Sequence, residues 1–178
     1  MKHITFYFDF ISPYAYLAFE KMPQALLGLS YSVTYKPVLF AAMLKHYGQL
    51  GPAEIAPKRV WTYRQVQWLA DTQGTRLDLP ASHPFNPLAL LRLACAAATG
   101  PAGSPGRHVC ESVFRHVWQG GQRADDPYRL AGLVAALAPR NDPSSEFAKD
   151  LLRCNTEEAI AQSVFGVPGF VVDGRLFW

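Results

Sequence analysis

Ser12 is the residue whose type and position could do chemistry, because it stands where a chain can stabilise a negatively charged sulfur. An alternating apolar segment ends just before it, and Pro13 follows directly. Serine is a favoured N-cap and proline a favoured first helical residue, so the pair predicts a helix that begins here. The N-terminus of a helix offers unpaired amides and the positive end of its dipole, and both stabilise anions, including thiolates.

A thiol placed beside Ser12 would gain acidity from two sources. The helix dipole contributes about 0.3–2 kcal/mol, and a hydrogen bond from the hydroxyl to a charged sulfur contributes about 1.5–3 kcal/mol. At about 1.4 kcal/mol per pKa unit, the two lower the pKa of such a thiol by roughly one to three units. A serine-proline pair is also a common helix start without any chemical role, and on these residues alone that alternative stays open.

The elements that position Ser12 are clearest at the two ends of the chain. Apolar side chains alternate from Ile4 to Phe10, which predicts a strand directly before Ser12. Residues 31–38 are rich in β-formers and predict a second strand. Near the C-terminus, two further β-rich runs flank Asp173-Gly174, a dipeptide that favours two-residue hairpins. The predicted order is a strand, a helix, a strand, a long helical middle and a hairpin.

The middle of the chain shows helical spacing and no convincing strand. Capping patterns predict where helices begin: Ser12-Pro13, Asn86-Pro87, Ser104-Pro105, Asp126-Pro127, Asp142-Pro143 and a capping box at Asn155–Glu158. Runs rich in glycine and proline predict loops at residues 48–57 and 100–106. We therefore predict an α/β domain made of residues 1–40 and 164–178. A mostly helical insertion, residues 41–163, includes a helix that packs back on the sheet.

Composition excludes several classes of protein. The chain has 178 residues, of which 49% are hydrophobic and 17% charged, so it can bury a sizeable core and is not disordered. No apolar run is long enough to cross a membrane and no signal peptide is recognisable, so a cytoplasmic location is the default. The net charge of +3 is scattered, which disfavours nucleic acid as a partner.

The cysteines and histidines give no recognisable catalytic or metal site. Cys95, Cys110 and Cys154 form neither a CxxC pair nor a zinc spacing, so each is predicted to be a small buried side chain and no metal is predicted. The histidines do not stand in a Ser/His/Asp order, and no Gly-x-Ser-x-Gly motif occurs.

The two ends of the chain together resemble a known family. Residues 8–17, Phe-Asp-Phe-Ile-Ser-Pro-Tyr-Ala-Tyr-Leu, and residues 166–178, Gly-Val-Pro-Gly-Phe-Val-Val-Asp-Gly-Arg-Leu-Phe-Trp, are similar to those of 2-hydroxychromene-2-carboxylate isomerases. These enzymes belong with kappa-class glutathione transferases and DsbA-type disulfide oxidoreductases. The resemblance covers essentially the whole chain and implies an α/β, thioredoxin-like fold with a large all-helical insertion.

The resemblance also implies glutathione as a cofactor and assigns residues to it. Ser12 stands where the oxidoreductases have the first cysteine of CxxC, and its hydroxyl would hydrogen-bond the glutathione sulfur. A cis Val167–Pro168 bond would leave the Val167 backbone free to pair with the tripeptide, although X-Pro bonds in general are mostly trans. Lys58 would meet a glutathione carboxylate, and Gln49 would replace an asparagine amide of the family. A solvated surface lysine is the alternative for Lys58.

The implied reaction is a glutathione-dependent cis–trans isomerisation of an aromatic, unsaturated 2-oxo acid, in which the thiolate adds reversibly to a small aromatic substrate. Tyr14, Phe40, Phe85 and Trp178 are candidate walls of the substrate pocket, and core positions are the alternative for each. A kappa-type glutathione transferase or peroxidase would use the same thiolate. A non-catalytic thioredoxin-fold module would instead bind an extended peptide beside Pro168.

The resemblance further implies a homodimer, and it exposes one departure at the C-terminus. Members of the family continue past the Phe-Trp pair with an Asp-Arg segment and a final helix, whereas the sequence given stops at Trp178. We therefore expect an apolar face of the sheet without its covering helix. Either a C-terminal segment is lacking or a partner buries that surface.

Overall fold

The computed structural model describes residues 1–100 and 103–178. The strands of these residues are β1 (Lys2–Phe8), β2 (Tyr31–Pro37), β3 (Gly169–Val172) and β4 (Arg175–Phe177). The α-helices are α1 (Pro13–Ala25), α2 (Phe40–His46), α3 (Ala56–Gln73), α4 (Leu88–Ala96), α5 (Arg107–Trp118), α6 (Pro127–Leu137) and α7 (Glu146–Ala161), with a short 3-10 helix over Pro52–Glu54. The predicted loop at 100–106 contains residues 101 and 102, which lie outside the described residues.

Strand β1 lies inside the sheet, whose order is β2-β1-β3-β4. It pairs in parallel with β2 and antiparallel with β3, so that Phe6 stands opposite Tyr35 on one side and Phe170 on the other. Its apolar side chains alternate with polar ones, so most of them lie on one face of the sheet. Phe6 and Phe8 enter the main core, whereas Tyr7 enters a smaller one on the opposite face.

Helices cover both faces of this sheet. The main core joins one face to α1, α4 and α5, and the Phe6 and Phe170 rings stack there at 4.7 Å. On the other face, Ala159 of α7 packs beside Tyr7 in the smaller core. This arrangement agrees with the thioredoxin-like α/β fold with a helical middle that the sequence predicts. The division at residues 40 and 164 stays a prediction.

Two helices begin at the predicted capping residue, because the side chain of that residue accepts a hydrogen bond from an amide in the first turn. Ser12 accepts a hydrogen bond from the Ala15 amide at 3.2 Å, and Asp126 accepts one from the Arg129 amide at 3.0 Å. Three other predicted starts are displaced by a few residues: α4 begins after Pro87, α5 after Gly106 and α7 after Ser145. For two of them the reason is visible, because Asn86 and Asp142 accept from the amide two residues later and so close a turn before the helix.

The predicted capping box at Asn155 is wrong, because this residue lies inside α7. Its side chain donates instead to the Pro37 carbonyl at 3.2 Å, and the Thr156 hydroxyl accepts from the Leu39 amide at 3.0 Å. Both residues therefore fasten α7 to the end of β2.

The prediction that all three cysteines are buried is wrong for one of them. Cys95 and Cys110 are buried, but Cys154 is exposed on α7.

An apolar groove of about 570 Å³ lies between α1, α3 and the β3–β4 side of the sheet. Ile4, Leu17, Phe170 and Phe177 are among its walls. The groove is a contiguous apolar surface, and the expected uncovered face of the sheet stays a prediction. Among the described helices, none combines the length and apolarity that crossing a membrane requires.

Candidate active site

Ser12 occupies the junction between β1 and α1. Its backbone is extended, with φ −90° and ψ 116°, and its amide donates to the Asp9 carbonyl at 3.1 Å. The residue is only 7% exposed, and its side chain caps α1. The first turn of α1, all of which the structure describes, holds no acidic side chain. The positive end of this helix is therefore not neutralised from within the helix itself.

The second terminal motif meets Ser12 in space. Ser12 Oγ lies 3.4 Å from the carbonyl oxygen of Val167, a residue 155 positions away in sequence, and donates to it. The Val167–Pro168 bond is cis, as the resemblance implies. A hydroxyl hydrogen bond usually spans about 2.5–3.0 Å, so this one is long and weak. Because a hydroxyl rotates freely about its C–O bond, Ser12 can turn its proton to another acceptor at little cost.

Asp9 holds the loop that carries Ser12. Its carboxylate is fully buried, and its two oxygens accept from two separate segments. Oδ1 accepts from the Ile11 amide at 3.1 Å, and Oδ2 accepts from the Phe40 amide at 3.0 Å. Burial raises the pKa of Asp9 to about 7, and these backbone hydrogen bonds oppose the rise. The carboxylate thereby ties the Ser12 loop to the first residue of α2.

His83 holds the same loop from the other side. Its Nε2 lies 2.8 Å from the Ile11 carbonyl, and its Nδ1 lies 2.8 Å from the Tyr63 hydroxyl. A carbonyl can only accept, so Nε2 carries the proton and Nδ1 of the neutral ring accepts from Tyr63. Burial lowers the pKa of His83, which favours this neutral form. The residue before Ser12 is thus fixed at its amide by Asp9 and at its carbonyl by His83.

Sequence reasoning missed Asp9 and His83 as parts of the site. Asp9 did carry a signal, because an aspartate in an otherwise apolar strand must be paired when it is buried. His83 carried none, since nothing in a histidine before a proline indicates a contact with residue 11, which lies 72 positions away.

Tyr14 and Phe40 are the predicted aromatic residues that the structure connects to Ser12. Tyr14 lies in the first turn of α1, and its hydroxyl donates to Gln65 Oε1 of α3 at 2.6 Å. Burial raises the pKa of this hydroxyl. Tyr14 and Pro168 both line the apolar groove, which therefore reaches the Ser12 region. Phe40 is joined to the Ser12 loop through Asp9.

The structure places the other predicted residues apart from Ser12. Gln49 and Lys58 are both exposed, in the loop after α2 and in the first turn of α3, and no hydrogen bond among the described residues links either side chain to Ser12. Phe85 is buried in the main core. Trp178 is 75% exposed, and its ring lies 5.2 Å from that of Phe165.

A comparison with protein families decides where this chain belongs. The model of the DSBA-like thioredoxin domain matches residues 3–178. The chain is a member of that family. This result confirms the family resemblance and the fold class that the sequence predicts.

Two relatives and one solved structure of another protein are similar to this DsbA-like chain. It is 27% identical over 185 residues to a 2-hydroxychromene-2-carboxylate isomerase of Sphingobium xenophagum, with 99% of the chain and 92% of the relative covered. It is 25% identical over 188 residues to glutathione s-transferase kappa 2 of Caenorhabditis elegans, with 98% and 83% covered. A solved 2-hydroxychromene-2-carboxylate isomerase shares its fold with a TM-score of 0.80 at 24% identity, over 99% of this chain and 88% of that one.

Dithiol chemistry has no basis at the Ser12 junction of this DsbA-like protein. Its cysteines lie elsewhere: Cys95 and Cys110 are in the main core, and Cys154 is on the surface of α7. Burial raises the pKa of the Cys95 thiol to about 12 and shifts that of Cys110 in the same direction. Two thiols with raised pKa values are poor nucleophiles.

Proposed function

We propose that this chain is a glutathione-dependent isomerase acting on an aromatic, unsaturated 2-oxo acid of the 2-hydroxychromene-2-carboxylate type. The observation that carries the proposal is the position of Ser12 Oγ, at the N-terminus of α1 and beside the Val167 carbonyl. The names of the relatives support it, since one is an isomerase of this substrate and another a glutathione transferase.

The residues at the junction fit a tripeptide thiol in two respects. The ladder between β1 and β3 begins where Tyr7 stands opposite Gly169, so Val167 lies outside it, and its amide would pair with an extended peptide. Ser12 can redirect its weakly held proton toward a sulfur, and it caps α1, whose dipole is positive at this end. The junction between β1 and α1 would therefore bind a peptide backbone and a thiolate together.

The protein's contribution to the reaction would be to stabilise charge and to fix position. When bound, glutathione would supply the thiolate that adds to the conjugated substrate and is expelled after rotation about the former double bond, with no net oxidation or reduction. Ser12 would donate to the sulfur, and with the α1 dipole it would lower the thiol pKa by roughly one to three units. Asp9 and His83 would hold Ile11, so that the Ser12 loop need not reorganise.

We extend the proposal to the parts of the ligands beyond the sulfur. Lys58 would contact a glutathione carboxylate, and Gln49 would donate its amide. The substrate ring would lie where Tyr14 and Pro168 border the apolar groove. Phe40 is linked to the Ser12 loop through its backbone amide, and its side chain packs against the smaller core, so it is a weaker candidate. Phe85 and Trp178 stay weaker candidates for pocket walls, because the first is in the core and the second is mostly solvated.

The central test compares two serine N-caps. Ser12→Ala removes the hydroxyl at the site, whereas Ser145→Ala removes an equivalent cap from α7, where Ser145 Oγ accepts from the Ala148 amide at 3.3 Å. Both lose a cap worth about 0.5–2 kcal/mol of stability. Only Ser12→Ala is expected to raise the pKa of bound glutathione, by roughly one to two units. The ultraviolet absorbance of the thiolate, followed against pH, measures it, and an unchanged pKa removes Ser12 from its role.

Two further measurements separate the alternatives. Calorimetric titration with glutathione tests the cofactor, and no binding would favour the thioredoxin-fold module that recognises a peptide beside Pro168. If glutathione binds, product analysis with an unsaturated aromatic 2-oxo acid distinguishes the isomer from a glutathione conjugate. A conjugate, or reduction of a peroxide, would identify a kappa-type transferase or peroxidase instead.

We also propose a homodimer in the cytoplasm. The uncovered apolar groove favours association, because contiguous apolar surface of this kind is a common interaction site. The exposed thiol of Cys154 suits a reducing compartment. Light scattering coupled to gel filtration tests the first statement, and cell fractionation tests the second.

A further inference from the structure

A second cavity, of about 290 Å³, lies between α2, α4 and α7. Its walls are mainly apolar, with Leu39, Leu88, Leu152 and Ile160 facing it. Thr156 also borders it, but its hydroxyl already donates to the Leu152 carbonyl at 2.7 Å and accepts from the Leu39 amide. Thr156 therefore braces the wall and has little capacity left for a ligand.

Charged side chains surround this cavity, and cations exceed anions. Arg92, Lys149 and Arg153 line it, against one carboxylate, that of Glu157. The two cations on α7 are neutralised along their own helix. Lys149 pairs with Glu146 at 2.7 Å, and Arg153 pairs with Asp150 at 3.1 Å and with Glu157 at 3.3 Å.

Arg92, on α4, differs from these two cations. It has no ion pair within the part of the chain that the structure describes, and its Nε is buried without a hydrogen-bond partner. Buried polar atoms are almost always paired in folded proteins, and an unpaired one is costly. Arginine presents planar donors that match a carboxylate, and the Arg92 side chain lines the cavity, so an anion there would pair with its guanidinium.

We infer that this cavity is a binding site for a small amphipathic carboxylate, held by Arg92 through its charged end and by the leucine and isoleucine walls through its apolar body. The volume lies just below the range of about 300–1,000 Å³ for small-molecule sites, which suits a single ring with one carboxylate. Among the described residues, Ser12, Val167 and Pro168 do not line it. The inference therefore stands apart from the proposed glutathione site.

Benzoate is the probe for the charged end. Isothermal titration calorimetry and NMR titration are expected to show saturable binding. The amide signals of Ala42 and Ile160 should shift. Benzamide, which has the same ring and no charge, is expected to bind at least tenfold more weakly. Arg92→Met should weaken benzoate by about tenfold or more, whereas Lys149→Met, which removes a paired cation, should change it by less than about threefold. Glutathione binding should be unaltered in both variants.

A second pair of variants tests the cavity without touching Arg92. Ala42→Leu places a larger side chain inside the cavity and is expected to abolish benzoate binding. Ala41→Leu makes the same change at the exposed neighbouring position and is expected to leave binding intact. Equal affinity for benzoate and benzamide, undiminished binding in Arg92→Met or Ala42→Leu, or shifts confined to Ile11 and Val167 would each overturn the inference.

Discussion

Asp9 gives the sharpest prediction about how the site is built, because its buried carboxyl should make the stability of the protein depend on pH. The pKa rises from an ordinary 3.8 to about 7 in the folded chain, mainly through burial. Folding therefore favours the protonated form. The associated stability is fully present below about pH 4 and is lost as the pH rises toward 7.

The magnitude follows from the difference between the two pKa values. At about 1.4 kcal/mol per unit, the whole loss amounts to roughly 4 kcal/mol, of which roughly 3 kcal/mol falls between pH 5 and pH 8. Asp9→Asn keeps the shape of the side chain and cannot ionise. It also replaces one carboxyl oxygen by an NH2 group that cannot accept from the Ile11 or Phe40 amide, and this offset relative to protonated Asp9 is the same at both pH values.

The assay is urea unfolding of both proteins at pH 5 and at pH 8. The free energy of unfolding of Asp9→Asn, minus that of the unchanged protein, should increase by roughly 3 kcal/mol between these values. Taking this difference cancels groups common to both proteins, including His83, whose lowered pKa acts in the opposite direction. If the difference in unfolding free energy between the two proteins is the same at pH 5 and pH 8, the reasoning is refuted. Asp9 would then have the same pKa in the folded and the unfolded chain.

The other predictions concern the second anchor of the loop and the entry to β3. His83→Phe keeps a ring of similar size but leaves the Ile11 carbonyl unpaired, so we expect a loss of about 1–3 kcal/mol in urea unfolding and weaker glutathione binding. Tyr63→Phe, which leaves the bond from His83 to Ile11 in place, is the control and should affect glutathione binding less; equal effects would contradict the role of His83. Gly169→Ala would place a Cβ 2.7 Å from the buried Val164 Cγ1 and should cost about 1–3 kcal/mol. An unchanged unfolding midpoint would show that Val164 yields without cost.

Local signals in the sequence were sufficient for the elements that frame the site. The alternation before Ser12, the Ser12-Pro13 cap and the Asp126-Pro127 cap depend on neighbours within a few residues, and the structure confirms each. The hairpin at Asp173-Gly174 is confirmed for the same reason, since both residues take the positive φ angles, 49° and 72°, that this turn requires. The terminal motifs also sufficed to identify the family.

Tertiary structure alone decided which residues surround Ser12 and what the polar groups of the helical middle do. Pairing of β1 with β3 brings Val167 to Ser12, and packing turns Asp9 and His83 toward Ile11. Asn155 looked like a cap because its local pattern is that of one, yet its partner, Pro37, lies 118 positions away. A hydrogen-bonding side chain takes whichever partner folding leaves unpaired beside it, and a sequence records the capacity to bond without recording that neighbour.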